Sequence, residues 1–169
     1  MNKNLPELIK DIRLVIFDFD GVFTDNKVII DEQGKESVVC SRSDGLGLSR
    51  LKQIGIESLI LSAEINKVVR SRARKLKIKC INACQNKFKV LFKEIKKRKL
   101  VLEQVAYVGN DINDLECLKA VGLPIAVRDA HSDIIRYAKF RTKLRGGQGA
   151  VREICDVIYA VKNGDKRNA

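Results

Sequence analysis

The sequence predicts an α/β fold: a doubly wound, mostly parallel sheet with a small β-hairpin inserted in it. Three observations lead there. Short apolar runs alternate with amphipathic stretches along the chain, which is the pattern of strands and covering helices in a parallel sheet. The runs Leu14-Val15-Ile16-Phe17, Leu59-Ile60-Leu61 and Val105-Ala106-Tyr107-Val108 are continuous and short, as buried strands are. Each of them stops at polar groups: Asp18 and Asp20, then Ser62, then Asn110, Asp111 and Asp114. Ligands in such sheets bind beyond the carboxyl ends of the strands, so these clusters should meet at one edge.

Taken in order, the first strand is Leu14-Val15-Ile16-Phe17, ending in Asp18-Phe19-Asp20-Gly21. Two β-rich runs, 27–31 and 35–40, flank Glu32-Gln33-Gly34 and read as a hairpin within an insertion at about 25–41. Asp44-Gly45-Leu46-Gly47 leads into a helix carrying Leu48, Leu51 and Ile54 and ending at Gly55. A strand over 57–61 follows. Ile65, Val68, Val69, Ala73 and Leu76 mark an amphipathic helix, and 78–83 a short strand. The next helix, 87–99, has Phe88, Leu91, Phe92 and Ile95 at helical spacing. A strand over 104–108, a helix to Gly122, a strand over 123–127 and a short helix near Ile134 and Ile135 come next. Gly146-Gly147-Gln148-Gly149 opens a last helix with Val151, Ile154, Cys155, Ile158 and Tyr159 on one face, and 163–169 reads as a frayed tail.

At 169 residues the chain reads as a single domain spanning 1–169. Hydrophobic residues at 45% and charged residues at 32% fit a soluble globular protein. No apolar stretch reaches the length needed to span a bilayer, and the first residues lack the apolar run of a secretory signal. The expected location is cytoplasmic, with no membrane partner. A net charge of +12 invites a nucleic-acid reading, but it rests on charge alone. The lysines of 87–99 lie opposite the apolar stripe, as on a solvated helix face, so no nucleic-acid partner is expected. A basic surface also draws in an anionic small substrate. The five cysteines show no two-residue spacing and read as reduced thiols; His131 is the only histidine, so a zinc site or a Ser-His-Asp triad is poorly supplied.

A carboxylate at the end of a buried strand is costly without a partner. Asp18 and Asp20 lie two apart, so on an extended backbone they share a side and could converge on one cation; alternatively they cap loose amides in a turn. If the edge clusters gather, the oxygen donors suit a hard cation such as Mg²⁺. One carboxylate could then attack phosphorus and another, two residues on, shuttle a proton. Ser62 and Lys87 could hold the phosphate oxygens, Lys87 at a helix start where anions are favoured.

At these residues the sequence resembles the haloacid dehalogenase superfamily. Asp18-Phe19-Asp20-Gly21-Val22-Phe23-Thr24-Asp25 resembles its first motif, Leu61-Ser62-Ala63-Glu64 the second, Asn86-Lys87 the third and 109–114 the fourth. A hairpin in place of a cap domain is similar to the capless branch acting on 3-deoxy-2-ulosonate phosphates, both the octulosonate 8-phosphate and the nine-carbon, sialic-acid-type 9-phosphates. The stretches 126–131 and 146–153 resemble that branch too. The resemblance implies a Rossmann-like fold and a Mg²⁺-dependent phosphatase working through an aspartyl phosphate. It makes Asp18 the nucleophile and a metal ligand. Asp20 becomes the general acid/base, with its carbonyl on the metal. Ser62, Ala63 and Lys87 bind the phosphoryl group, and Asp114 stands behind. It further implies a homotetramer in which the hairpin helps close a neighbour's site, with Thr24, Asp44 and Gly45 at the entrance. The partner is then a phosphorylated sugar acid.

Two departures bear on this. The aspartate usual after the glycine of the fourth motif is Asn110 here, followed by Asp111; either could serve the metal. A related domain fused to animal sialic-acid cytidylyltransferases also carries Asn there and is regarded as structural, so the alternative is a weakly active or inactive oligomerisation module. Glu64 stands where octulosonate phosphatases usually have Arg, and nine-carbon-acid phosphatases resemble this chain in Glu64, Arg72 and Lys75, which places the nine-carbon substrate slightly ahead. Equally, Glu64 could cap the helix near Ile65, with Arg72 and Lys75 on its polar face.

Overall fold

The computed structural model describes residues 4–164. Its centre is a six-stranded sheet, parallel throughout. The strands are β1 (Leu14–Phe17), β4 (Glu57–Leu61), β5 (Lys79–Ile81), β6 (Val105–Gly109), β7 (Leu123–Ala126) and β8 (Phe140–Arg141), in the spatial order β5-β4-β1-β6-β7-β8. β1 is flanked by β4 and β6 in matched register, Phe17 opposite Ile60 on one side and Val108 on the other. All four residues of β1 and all five of β6 are buried, which explains why these strands read as unbroken apolar runs. The sheet grows leftward from β1 through β4 to β5, then resumes on the right with β6. With right-handed crossovers this reversal puts helices on both faces, and polar residues after β1, β4 and β6 share the carboxyl edge at the switch point.

The helices are α1 (Leu5–Lys10), α2 (Ser43–Gln53), α3 (Lys67–Leu76), α4 (Lys87–Lys97), α5 (Leu115–Ala120), α6 (Ser132–Ile135) and α7 (Ala150–Lys162). α1 and α2 pack on α7, and α4 packs on α5. α1 carries a complete capping box between Asn4 and Glu7 and escaped the sequence reading, as did edge strand β8, which is only two residues long. α2 begins at Ser43, earlier than expected, so Asp44 and Gly45 lie in its first turn.

The hairpin forms as expected, but β2 (Ile29–Ile30) and β3 (Glu36–Ser37) are only two residues each. Asp31 Oδ1 shapes its loop by accepting from the amides of Gln33 and Lys35 at 3.1 and 2.8 Å. Ile65, assigned above to a helix face, precedes α3 and is exposed.

The apolar face read for α4 is corrected: Leu91 and Ile95 are buried, but Phe88 and Phe92 are exposed and stack edge-on at 4.8 Å. The buried stripe is Lys87, Leu91, Glu94 and Ile95. Turning Lys87 inward rotates Phe88 and Phe92, about 100° and about 140° further round the helix, toward solvent. α7 ends at Lys162, with Asn163 and Gly164 turning after it; the rest of the predicted tail, 165–169, lies outside the described residues. No helix among the described residues is long and apolar enough to cross a membrane.

Candidate active site

β1 pairing ends at Asp18, whose amide donates to the Val108 carbonyl at 2.9 Å. The chain then turns: Phe19 O accepts from Val22 and Phe23, and Gly21 takes a φ of 73°, which a side chain rarely allows. Thr24 Oγ1 staples this turn, accepting from Gly21 N at 3.1 Å and Asn26 N at 3.2 Å. The rings of Phe17, Phe19 and Phe23 pack beneath it. Thr24 is wholly buried, which corrects its expected place at the substrate entrance: its hydroxyl is spent on the turn. Asp18 is buried and Asp20 half-buried.

Lys87 is the first residue of α4, behind the N-cap Asn86. Its Nζ lies 2.8 Å from Asp18 Oδ1 and 2.8 Å from Asp114 Oδ1. Asp114 Oδ1 also accepts from the Tyr107 hydroxyl at 2.7 Å, and Oδ2 accepts from the amides of Asn110 at 3.0 Å and Asp111 at 3.4 Å. A Cβ at Gly109 would come within 2.6 Å of that carboxylate, so the glycine lets it close. Burial, reinforced by Asp114 and opposed by Lys87, pushes the Asp18 carboxyl up to about 7. Burial also raises Asp20, helped by Glu64 and opposed by Lys87 and the Thr24 hydroxyl. For Lys87 burial works downward, but Asp18 and Asp114 outweigh it and hold the ammonium above its usual range.

Ser62 follows β4 and is buried. Its amide donates to Ile81 O at 2.9 Å, and its Oγ accepts from Glu64 N at 3.1 Å, which leaves its own O–H to donate. Ala63 beside it is exposed. Glu64 Oε1 caps the chain before α3, accepting from Ile65 N at 2.7 Å and Asn66 N at 3.0 Å. A cavity of about 200 Å³ opens beside Asp20, bounded by Phe19, Glu36, Val38, Glu64 and Asn66. The hairpin forms one wall, tied down where Asn66 Nδ2 donates to Glu36 Oε2 at 2.7 Å. A larger cleft, about 520 Å³ and lined by Leu48, Ile56, Leu76 and Ile78, contains none of these residues; chemistry, not size, marks the site.

Asp44 is buried, with its Oδ2 unpartnered among the described residues; burial lifts its carboxyl to about 7, with Arg72 opposing. Arg72 Nη2 donates to Ser41 O at 2.5 Å. A Cβ on Gly45 would sit 3.4 Å from Leu76. Lys75 lies on the exposed face of α3. Glu64, Arg72 and Lys75 are therefore not joined within one chain by any hydrogen bond or ion pair among the described residues.

Asp111 Oδ1 accepts from Ile112 N at 2.7 Å, capping the short 3₁₀ turn Ile112–Asp114. Asn110 Oδ1 differs: it is buried and has no partner among the described residues. No three His, Cys, Asp or Glu side chains cluster for a metal among the described residues, so a cation here must draw on amide and carbonyl oxygens too.

Sequence reasoning missed Tyr107, read only as a strand residue; its hydroxyl in an otherwise apolar buried run was the available signal. It also assigned no contact to Gly146 and Gly147. A Cβ at Gly146 would meet Gly21 O at 1.8 Å, and one at Gly147 would meet Asp25 N at 2.5 Å. These glycines let a loop press on the Asp18–Asp20 turn.

A parallel sheet whose switch point carries an aspartate, a lysine and a second aspartate in contact defines a class of hydrolase. Residues 48–154 match the family model described as haloacid dehalogenase-like hydrolase. The chain is 35% identical over 150 residues to the 3-deoxy-D-manno-octulosonate 8-phosphate phosphatase KdsC of Escherichia coli (strain K12), covering 88% of this chain and 80% of that one. A HAD family hydrolase from Streptomyces avermitilis is 43% identical, with a TM-score of 0.86 over 92% of this chain and 87% of its own. The 3-deoxy-D-manno-octulosonate 8-phosphate phosphatase of Moraxella catarrhalis, solved with a magnesium ion, a phosphate ion and a KDO molecule, is 32% identical. Its TM-score is 0.91 over 95% of this chain and 92% of its own. The chain belongs to the haloacid dehalogenase-like hydrolases, and it is an enzyme that hydrolyses phosphate monoesters.

Proposed function

We propose that this enzyme removes phosphate from a 3-deoxy-2-ulosonate sugar acid, with 3-deoxy-D-manno-octulosonate 8-phosphate as the preferred substrate, in a Mg²⁺-dependent reaction. The observation that carries the reading is Lys87 Nζ bridging Asp18 and Asp114 at 2.8 Å, with Asp20 two residues on beside the cavity. The Asp18 carboxylate attacks phosphorus, the bond from phosphorus to the sugar oxygen breaks, and Asp20 gives its proton to the leaving alkoxide. Asp20 then takes a proton from the water that displaces phosphate from Asp18. The upward pull of burial on Asp20 suits a residue that begins protonated. Lys87 and the free Ser62 hydroxyl offset charge on the transferring group.

Mg²⁺ fits the donors present. Asn110 Oδ1 is a buried acceptor without a partner, whereas the carboxylate of Asp111 is engaged by its own turn. Asp18, the Asp20 carbonyl and Asn110 would hold the ion, which when bound supplies charge neutralisation at the phosphoryl oxygens.

The substrate order of the sequence reading changes here. Glu64 is occupied as a cap, Arg72 turns to Ser41, and the curated relative named above acts on the octulosonate. Comparing kcat/KM on the 8-phosphate and the nine-carbon 9-phosphates tests this: we expect at least tenfold preference for the 8-phosphate, and the reverse would overturn it. Asp18→Asn should abolish Mg²⁺-dependent phosphate release; undiminished turnover would remove Asp18 as nucleophile. A homotetramer closing each site with a neighbour's hairpin completes the proposal, in a cytoplasmic enzyme.

A further inference from the structure

Residues 136–145 carry five cations, Arg136, Lys139, Arg141, Lys143 and Arg145, and no acid. Lys139 and Arg141 alternate along edge strand β8, where Lys139 N bonds Pro124 O and Thr142 N bonds Ala126 O, and so share a side. Lys143 and Arg145 follow in the bend after it, and all four are exposed.

The two guanidinium groups here are held by main-chain oxygens. Arg141 Nε and Nη2 donate to Arg128 O, the first at 3.1 Å, and Arg128 Nη1 donates to Lys143 O at 3.2 Å. No ion pair engages Arg128, Arg141 or Lys143 among the described residues. The nearby acids face backbone donors: Glu153 accepts from the amides of Lys143 and Leu144, and Asp129 Oδ1 from that of Gly146. Thr142 Oγ1 is committed too, accepting from Arg128 N and donating to Leu144 O. An open cleft of about 480 Å³ is bounded by Arg128, Arg141, Thr142 and Lys143. Its walls therefore offer three fixed or reachable cations and no apolar floor.

We infer that this cleft is a second anion site, separate from the catalytic centre, and that it takes a short phosphate chain of two or three phosphoryl groups. Guanidinium forks match phosphate oxygens in pairs, and three lining cations, with Glu153 and Asp129 close by but turned to main-chain amides, suit a ligand with more than one negative charge. β8 is three places from β1 in the sheet, so the cleft lies roughly 14 Å from the Asp18 turn at ordinary strand spacing.

Isothermal titration of the full chain with inorganic tripolyphosphate tests the site. We expect one site whose affinity falls as salt rises, and at least tenfold weaker binding in Arg128→Gln/Arg141→Gln. Lys143→Glu replaces a side chain that makes no hydrogen bond or ion pair among the described residues, and should weaken binding as much without touching the loop bonds. Lys93→Gln/Lys96→Gln, which removes two exposed charges from α4, should leave it intact, as should Lys87→Ala. ATP binding tighter than tripolyphosphate assigns the site to a nucleotide; equal binding assigns it to the phosphate chain itself. Equal losses in the α4 variant mean diffuse attraction, and loss in Lys87→Ala means the catalytic centre; either overturns the site. So does an absence of wild-type binding, which leaves the cations guarding an exposed sheet edge.

Discussion

Four donors converge on one carboxylate, that of Asp114: a lysine, a phenol and two amides. The same oxygen that receives the Tyr107 hydroxyl receives Lys87, so the phenol moderates how strongly Asp114 draws the ammonium away from Asp18. Tyr107→Phe keeps the ring and removes only that donor, at a cost of about 1 kcal/mol in stability. We expect kcat to drop several-fold with KM within twofold of wild type; a change in KM alone would contradict a role through Lys87. Asn110→Asp adds charge where an unpartnered amide oxygen now sits, and calorimetry should find Mg²⁺ bound at least tenfold tighter. Without metal the same change adds a further carboxylate to the cluster of Asp18, Asp20 and Asp114 and should lower the melting temperature. Asp44 gives the pH dependence. Its folded carboxyl titrates near 7 against 3.8 as a model acid, so between those values the folded state holds the proton that the unfolded state has released. Stability conferred by Asp44 therefore falls as pH rises from about 4 to 7, by an amount on the order of a few kcal/mol. Urea titrations across that range should show wild type losing ground to Asp44→Asn; parallel curves would show that Asp44 ionises normally.

Among the elements, the buried central strands were legible because their apolar runs, bounded by polar groups, are too short for a buried helix. α1 and β8 were not: the first is six residues and the second two, too short for periodicity to register. Phe88 and Phe92 were misread because spacing fixes only relative positions on a helix; which face turns inward was decided by the burial of Lys87. What was legible of the candidate site is placement: Asp18, Asp20 and Ser62 after strand ends and Lys87 at a helix start, with Lys87 brought against Asp18. The site was not legible at Thr24, where the sequence could not tell an entrance hydroxyl from one spent on a turn. Asn66 shows how one residue can join two elements, capping α3 through Val68 N while its amide holds Glu36 of the hairpin. Asn66→Ala should lower stability by about 1 kcal/mol from the lost cap and speed proteolysis within 25–41. Cleavage at the wild-type rate would mean the hairpin is not anchored there. Gly146→Ala tests the loop pressing on the Asp18–Asp20 turn: its Cβ would meet Gly21 O at 1.8 Å, and activity should fall far more than the melting temperature.

For the molecule as a whole, assembly turns on the hairpin. Two strands of two residues are too little to persist alone in water, yet Val28, Ile29, Ile30 and Val39 are each more than half exposed. Apolar side chains gathered on one small projection mark a contact surface, and a second copy offers the same surface in return. Charge opposes this. Each chain carries +12, so copies repel at low ionic strength, and salt both screens that repulsion and favours apolar burial when the anion is sulfate. Assembly should therefore tighten with salt, opposite to contacts made through ion pairs. Sedimentation should find a species larger than the monomer, shifting toward monomer as sodium sulfate is withdrawn. Ile29→Lys/Ile30→Lys should remain monomeric at every salt concentration. If a neighbour's hairpin closes each site, as proposed above, that variant should also lose at least tenfold in kcat/KM while folding normally. A monomeric wild type, or a monomeric variant of full activity, would show that the site is complete within one chain.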